Sequence, residues 1–253
     1  MKRALLFGIT SIFIGWMLLS WISVGDEFLN QQKKYSRVRA AISEKEHAWK
    51  IELGKKDLAL NNFEMLLVAF KAEDELQLFA RKKGTEKYSH LKTYRICAKS
   101  GSLGPKRSQG DGQVPEGFYH IDRFNPSSNF YLSLGLNYPN TADQIKAVGN
   151  PGGDIFIHGS CVTIGCIPMT DDKIKEIYLL AVHARNNGQT KIPIYVFPFK
   201  MNDKNWNEQK RLLQKDSPLL SFWSQMKSGY NRFTRDYKPL QYTIDKKGDY
   251  QFP

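Results

Sequence analysis

A histidine and a cysteine, His158 and Cys166, stand eight positions apart in the stretch Asp-Ile-Phe-Ile-His-Gly-Ser-Cys-Val-Thr-Ile-Gly-Cys-Ile-Pro-Met at residues 154–169. A thiol is a weak nucleophile until it loses its proton, and a neighbouring imidazole can take that proton. Attack of the sulfur on a carbonyl carbon gives a thioester, so the pair suits acyl transfer. Glycine flanks both members, Gly159 after the histidine and Gly165 before the cysteine. Each removes bulk where a backbone turns sharply or lets a substrate approach. Peptide N–H groups in a tight Gly165–Cys166 turn would face the oxyanion that forms on an attacked carbonyl.

Two other readings use the same side chains. His158, Cys161 and Cys166 offer three ligands to zinc, but His-x2-Cys-x4-Cys is an irregular spacing with no fourth ligand near it. A structural cysteine beside a satisfied histidine is the plain alternative, and the glycines on both members weigh against it. No metal and no cofactor is expected. The elements around the pair fit catalysis. Ile155, Phe156 and Ile157 are strand formers that deliver His158 to a strand end. Thr170 with Asp171 and Asp172 opens a helix just after the cysteine.

The segment His-Gly-Ser-Cys-Val-Thr-Ile-Gly-Cys-Ile-Pro-Met resembles the signature of the L,D-transpeptidase (YkuD-type) catalytic domain, and most of all its YafK-like branch. Other stretches share that likeness: Gly104-Pro105-Lys106, residues 110–119, Asn137-Tyr138-Pro139-Asn140 and residues 194–199. The resemblance runs from about Phe63 to the C-terminus. It implies a β-sandwich-like catalytic fold and action on peptidoglycan stem peptides. It also implies that Cys166 is the nucleophile and His158 the base, with Gly159, Ser160 and Gly165 shaping the site and Thr163 counted with them. Cross-linking members of the family carry an arginine two residues after the cysteine, where this chain has Pro168. The YafK-like branch also lacks it, and a hydrolytic role is known there, releasing a lipoprotein from diaminopimelate. The acceptor is therefore either an amine or water. A wall-linked lipoprotein is a candidate partner, and a non-catalytic wall-binding protein is the remaining alternative.

The chain has 253 residues, 41% hydrophobic and 25% charged, which suits one sizeable core and not a disordered chain. Its net charge of +12 fits an anionic membrane surface or wall polymer. The basic residues are dispersed and no nucleic-acid motif accompanies them, so no nucleic-acid partner is expected. Three cysteines allow one disulfide and one free thiol. Cys97 and Cys161 are the available pair, with two free thiols as the alternative.

Met1-Lys2-Arg3 is a positive start, and residues 4–24 carry no charge. That pattern reads as a signal peptide or a membrane anchor over 1–25, with an uncleaved anchor in the inner membrane favoured. It places the remainder outside the cytoplasm, in the periplasm, either secreted or anchored. Residues 26–60 read as a helical stalk with His47 on a solvated face, and 61–253 as the catalytic domain with C-terminal helices. Strands are expected at 66–70, 75–80, 94–98, 118–123, 130–134, 192–199 and 241–244. Pro193 and Pro198 suggest an edge position for 192–199. Arg123 reads as a surface ion pair or a binder of substrate carboxylate. The Gly- and Pro-rich loop 101–117 reads as a groove wall and 141–153 as a polar lid. Ile174, Ile177, Tyr178 and Ala181 mark a helix with one apolar face, leaving His183 solvated. Residues 202–232 read as amphipathic helices on the sheet. The fold class is mostly β with helical additions (α+β).

Overall fold

The apolar run Met65–Phe70 is buried throughout, as befits a strand covered on both faces. The computed structural model describes residues 27–215 and 217–253. In chain order the elements are α1 Glu27–Gln32, α2 Ser36–Gly54, β1 Phe63–Phe70, β2 Glu75–Lys82, β3 Ser89–Arg95, β4 Gly117–Asn125, β5 Ser133–Leu136 and α3 Thr141–Lys146. They continue as β6 Phe156–His158, β7 Ile167–Pro168, α4 Asp171–Asn186, β8 Ile192–Phe197, α5 Asp203–Leu212, α6 Pro218–Asp236, β9 Thr243–Ile244 and β10 Tyr250–Gln251. The first eight strands form one mixed sheet in the order β3-β2-β1-β8-β4-β5-β6-β7. Only β1 with β8 and β6 with β7 are parallel. The chain is α+β, as its strand-rich pattern implies.

Successive side chains of a strand point to opposite faces, and here each face meets its own core. Met65, Leu67 and Ala69 of β1 join Ile194 and Val196 of β8 and the helices α2 and α4. Leu66, Val68 and Phe70 join Tyr195, Phe197 and the α6 residues Phe222, Trp223, Met226 and Phe233. Ser217 caps α6 through its side chain and Pro218 occupies its first turn, a position where proline costs no hydrogen bond. The amphipathic C-terminal helices are present as expected. Only α6 buries residues, and α5 buries none.

Four expectations are corrected. The helix over 26–60 does not stand away from the domain as a stalk. Val38, Ala41, Trp49 and Leu53 of α2 are buried in the same core as β1 and α4. The strand holding Pro193 is not at an edge but lies between β1 and β4. Its pairing with β1 begins only at Leu67 and Ile194, so the missing N–H of Pro193 breaks no bond on that side. The Gln189 side chain serves β1 just before that point, accepting from Met65 N and donating to Met65 O, each at 2.8 Å. His183 is not solvated but 8% exposed, because α2 covers the side of α4 that one apolar stripe would leave open. Burial holds its imidazole below the usual histidine range. The polar 141–153 connection opens with a true helix, α3, closed by a capping box between Asn140 and Asp143. His47 is exposed as expected.

Among the described residues no helix is long and apolar enough to cross a membrane. The expected signal or anchor over 1–25 lies outside the described residues.

Candidate active site

The short strands β6 and β7 bring the histidine and the cysteine together. They pair in parallel with Ile157 beside Ile167 and His158 beside Pro168. Extending that register back by one residue sets Cys166 beside Phe156. Residues 156 and 158 share a face of their strand, so the thiol and the imidazole project to the same side of the sheet. Both line one cavity of about 650 Å³, together with Phe130, Ser133, Asp154 and Phe156. Cys166 also lines a second cavity of about 310 Å³, whose walls include Ile96, Leu103, Val114 and Ile167. The thiol is half-buried and thus sits where two cavities meet.

His158 is 2% exposed. Its Nδ1 lies 2.5 Å from the Gly159 carbonyl oxygen, an acceptor, so Nδ1 carries the proton and Nε2 keeps its lone pair. Burial holds the imidazole below the usual range, against the pull of the Gly159 carbonyl. Burial also pushes the Cys166 thiol up, with Asp154 adding to it, while a backbone hydrogen bond from Phe156 and the charge of Lys106 oppose it. The thiol donates weakly to Asp154 O at 3.6 Å. Both directions oppose a standing thiolate–imidazolium pair.

A pH measurement follows from those two directions. Cys166 alkylation by iodoacetamide is expected to climb about tenfold per pH unit through pH 8, with no plateau on the acid side. His158→Ala is expected to change that profile little while lowering turnover by about 10²- to 10⁴-fold. A fast, pH-independent alkylation below pH 6 would show a preformed ion pair instead.

The loop between His158 and Cys166 is braced at every point that matters. Thr163 Oγ1 accepts from Cys166 N at 2.8 Å and Gly165 N at 3.2 Å, and donates to Cys166 O at 2.9 Å. The N–H groups expected to face an oxyanion are thus turned onto Thr163 in the resting turn. Gly165 has φ +136, and a Cβ there would come within 3.1 Å of Gln113 O. A Cβ on Gly159 would meet Asp171 Oδ1 at 2.6 Å and Phe130 O at 2.7 Å. Ser160 adopts φ +63, and its N–H donates to Asp171 Oδ1 at 2.9 Å. Thr170 caps α4 by accepting from Lys173 N, which sets Asp171 where it can hold Ser160.

Cys161, in the middle of this loop, is bonded to Cys97 just beyond β3, with Cα atoms 5.4 Å apart. It is therefore not free to be a thiolate ligand, and the three-ligand zinc reading loses a member. The bond closes a separation of 64 residues. Chain entropy puts its stabilisation at about 4 kcal/mol. The double variant Cys97→Ala/Cys161→Ala is expected to unfold in urea with a stability lower by about that amount. Unchanged stability would mean that the bond is not formed.

The loop 101–117 forms a wall of the smaller cavity through Gly101, Ser102, Leu103 and Val114. Arg123 is held by Asp122 and Asp154, at 3.1 and 2.8 Å, the ion-pair reading of that residue. Sequence reasoning missed Phe130, whose ring lies 4.6 Å from that of His158 and tilted by 32°. It also missed Asp171 as the holder of Ser160, and the Asp154 carbonyl as the acceptor of the thiol's hydrogen bond. Asp171 had a local signal as a first-turn acid of α4. Phe130 had none, since its place depends on β5 pairing with β6 through Ser133 and His158.

A family model described as YkuD, L,D-transpeptidase catalytic domain, matches residues 66–194. "Putative L,D-transpeptidase YafK" of Escherichia coli (strain K12) is 40% identical over 172 residues, 67% of this chain and 66% of that protein. The protein of the same description from Escherichia coli O157:H7 matches with the same figures, so the likeness spans just under two thirds of either relative. Among solved structures, the helical cell shape determining protein Pgp2 of Campylobacter jejuni has TM-score 0.43 at 17% identity, covering 72% of this chain and 73% of that one. Bd1075 of Bdellovibrio bacteriovorus has TM-score 0.39 at 21% identity, covering 67% and 62%.

Proposed function

The chain belongs to the L,D-transpeptidase catalytic domain family, and on that premise we propose that it is a cysteine acyl-transfer enzyme acting outside the cytoplasm on peptidoglycan stem peptides. The observation that carries this reading is the shared cavity of His158 and Cys166, with the thiol opening into a second cavity as well.

His158 Nε2 takes the Cys166 proton as the sulfur attacks a carbonyl beside a diaminopimelate centre. The tetrahedral oxyanion competes with Thr163 for the N–H groups of Gly165 and Cys166. Collapse breaks the scissile C–N bond, and the imidazolium returns the proton to the leaving amine. The acyl group then remains on sulfur as a thioester. An incoming amine or water, deprotonated by His158, attacks the thioester and releases the thiol.

Water as acceptor is a second reading, and one observation favours it. The larger cavity is lined by Asp154 but by no lysine or arginine among the described residues. Arg123, which pairs with the lining residue Asp154, is already taken by Asp122 and Asp154. A stem peptide arriving in that cavity as amine donor would bring carboxylates with no cation to meet them, and the lysines of the smaller cavity, Lys71 and Lys99, are already paired with Glu116 and Asp74. On this reading the bond cut includes one joining diaminopimelate to a lipoprotein. The Cys97–Cys161 disulfide supports an oxidising compartment, in keeping with the leader-like pattern at residues 1–25.

The test is incubation of the purified protein with diaminopimelate-containing muropeptides, read by mass spectrometry. An acyl adduct on Cys166 is expected, and the products separate water from amine. No turnover of any muropeptide with the thiol intact would overturn the proposal.

A further inference from the structure

The N-terminal helix α2 reaches the active-site turn directly through Arg37. Arg37, in the first turn of α2, donates through Nη1 to Ser128 O and to Tyr131 O, each at 2.6 Å. Its guanidinium also lies 5.3 Å from the centre of the Tyr131 ring. Both acceptors are main-chain carbonyls, so Arg37 holds the path of the 128–131 turn whatever side chains it carries. Charged hydrogen bonds of this kind are among the stronger ones.

That turn is held against its own preference. Tyr131 has φ +71, a left-handed conformation that a bulky residue adopts only where its surroundings impose it. A second cation stands on the same ring: Lys175 of α4 lies 5.6 Å from its centre and is paired with Glu44 of α2 at 2.6 Å. Between the two pinned carbonyls lies Phe130, 42% exposed and yet laid across the His158 ring. An aromatic side chain left that open to water has little hydrophobic reason to stay there unless its backbone is fixed. Phe130 O also closes on Gly159, so the turn bears on both residues at the end of β6.

We propose that Arg37 is a positioning residue for His158, acting through the 128–131 turn and the Phe130 ring, so that the N-terminal helices form part of the active-site wall. This rests on the reading of His158 as the base. Arg37 itself lines neither cavity and meets the larger one's wall only through the main-chain oxygen of Ser128. Its effect passes entirely through the turn.

The experiment compares the full chain with Arg37→Ala, Arg37→Lys, Phe130→Leu and the double variant Arg37→Ala/Phe130→Leu. Arg37→Ala is expected to lower kcat about tenfold or more, with KM little changed, since a small misplacement of a catalytic group costs rate and not binding. Arg37→Lys keeps a charge and a donor and is expected to recover part of the loss. The double variant is expected to be no worse than the poorer single one, because both changes break one path. Val38→Ala, a core residue of the same helix, serves as the control for mere loosening of α2. It is expected to lower the melting temperature while leaving kcat in place. The NMR signals of the His158 ring are followed alongside, because they need no muropeptide. If wild type turns over nothing but Arg37→Ala shifts the His158 ring signals where Val38→Ala does not, the reaction proposed above falls and the positioning role stands. If Arg37→Ala and Val38→Ala lower the melting temperature alike and both leave kcat and the His158 signals untouched, the positioning role is overturned.

Discussion

Cys166→Ala is expected to remove muropeptide turnover, lowering kcat by about 10⁴-fold or more, as loss of a covalent nucleophile does. The protein is expected to keep its fold, with stability changed by about 1 kcal/mol or less. The structure separates the two effects. The sulfur donates one weak hydrogen bond, to Asp154 O at 3.6 Å, and accepts one from the Phe156 main chain, and its residue borders two cavities. The turn that presents it is held by Thr163 through main-chain atoms, and these survive the substitution. Cys166→Ser is expected to be inactive as well, since a hydroxyl is far harder to deprotonate beside a neutral imidazole. The measurement is product formation by mass spectrometry, with thermal unfolding as the check on folding. Turnover within tenfold of wild type in Cys166→Ala would take the nucleophile's role from this residue.

Glu116→Ala is expected to be the most damaging single change to stability outside the apolar core, costing about 3–5 kcal/mol. Glu116 is fully buried. Its Oε1 accepts from Lys71 Nζ at 2.9 Å and from Gly104 N at 2.7 Å, and its Oε2 accepts from Trp223 Nε1 at 2.8 Å. Removing the carboxylate leaves the ammonium of Lys71, itself 8% exposed, with carbonyl oxygens of Gly104 and Val114 but no counter-charge. It also orphans the Trp223 indole in a dry interface. The loss corresponds to a fall in melting temperature of about 10 °C for a domain of this size. Lys71→Met/Glu116→Leu is expected to recover part of it, because an apolar pair replaces both charges at once. Activity should suffer too. Glu116 anchors the 101–117 loop, which lines the smaller cavity and packs Gln113 O against Gly165. A melting temperature within about 2 °C of wild type would show that the pair contributes little.

These two residues differ in how far they could be read beforehand. Cys166 announced itself through a neighbouring glycine, a histidine eight positions back and a helix start just beyond. Each is a short-range pattern, and the structure keeps all of them: Thr170 caps α4, Gly165 sits at φ +136, and β6 ends on His158. Glu116 had no such signal. Its partners at positions 71 and 223 come from the turn just after β1 and from α6, which meet it only after the sheet has formed and α6 has covered one face. The Gly- and Pro-rich composition of 101–117 marked a functional loop, but nothing local showed what ties it down.

The sequence by itself determined the α+β class, the runs that become strands, the helical character of the C-terminal stretch and the choice of His158 and Cys166 as candidates. Periodicity, turn residues and caps act within a few positions, so they leave their mark on neighbouring letters. Only the tertiary structure decided that α2 lies on the domain with Arg37 over the 128–131 turn. It also decided that Cys97 meets Cys161, that Pro193 sits in a central strand, and that burial holds the imidazole low and the thiol high. Each of these depends on which strands lie side by side and on what covers them. Residues far apart in the chain make those contacts, and burial, which sets the charge states, is a property of the assembled layers.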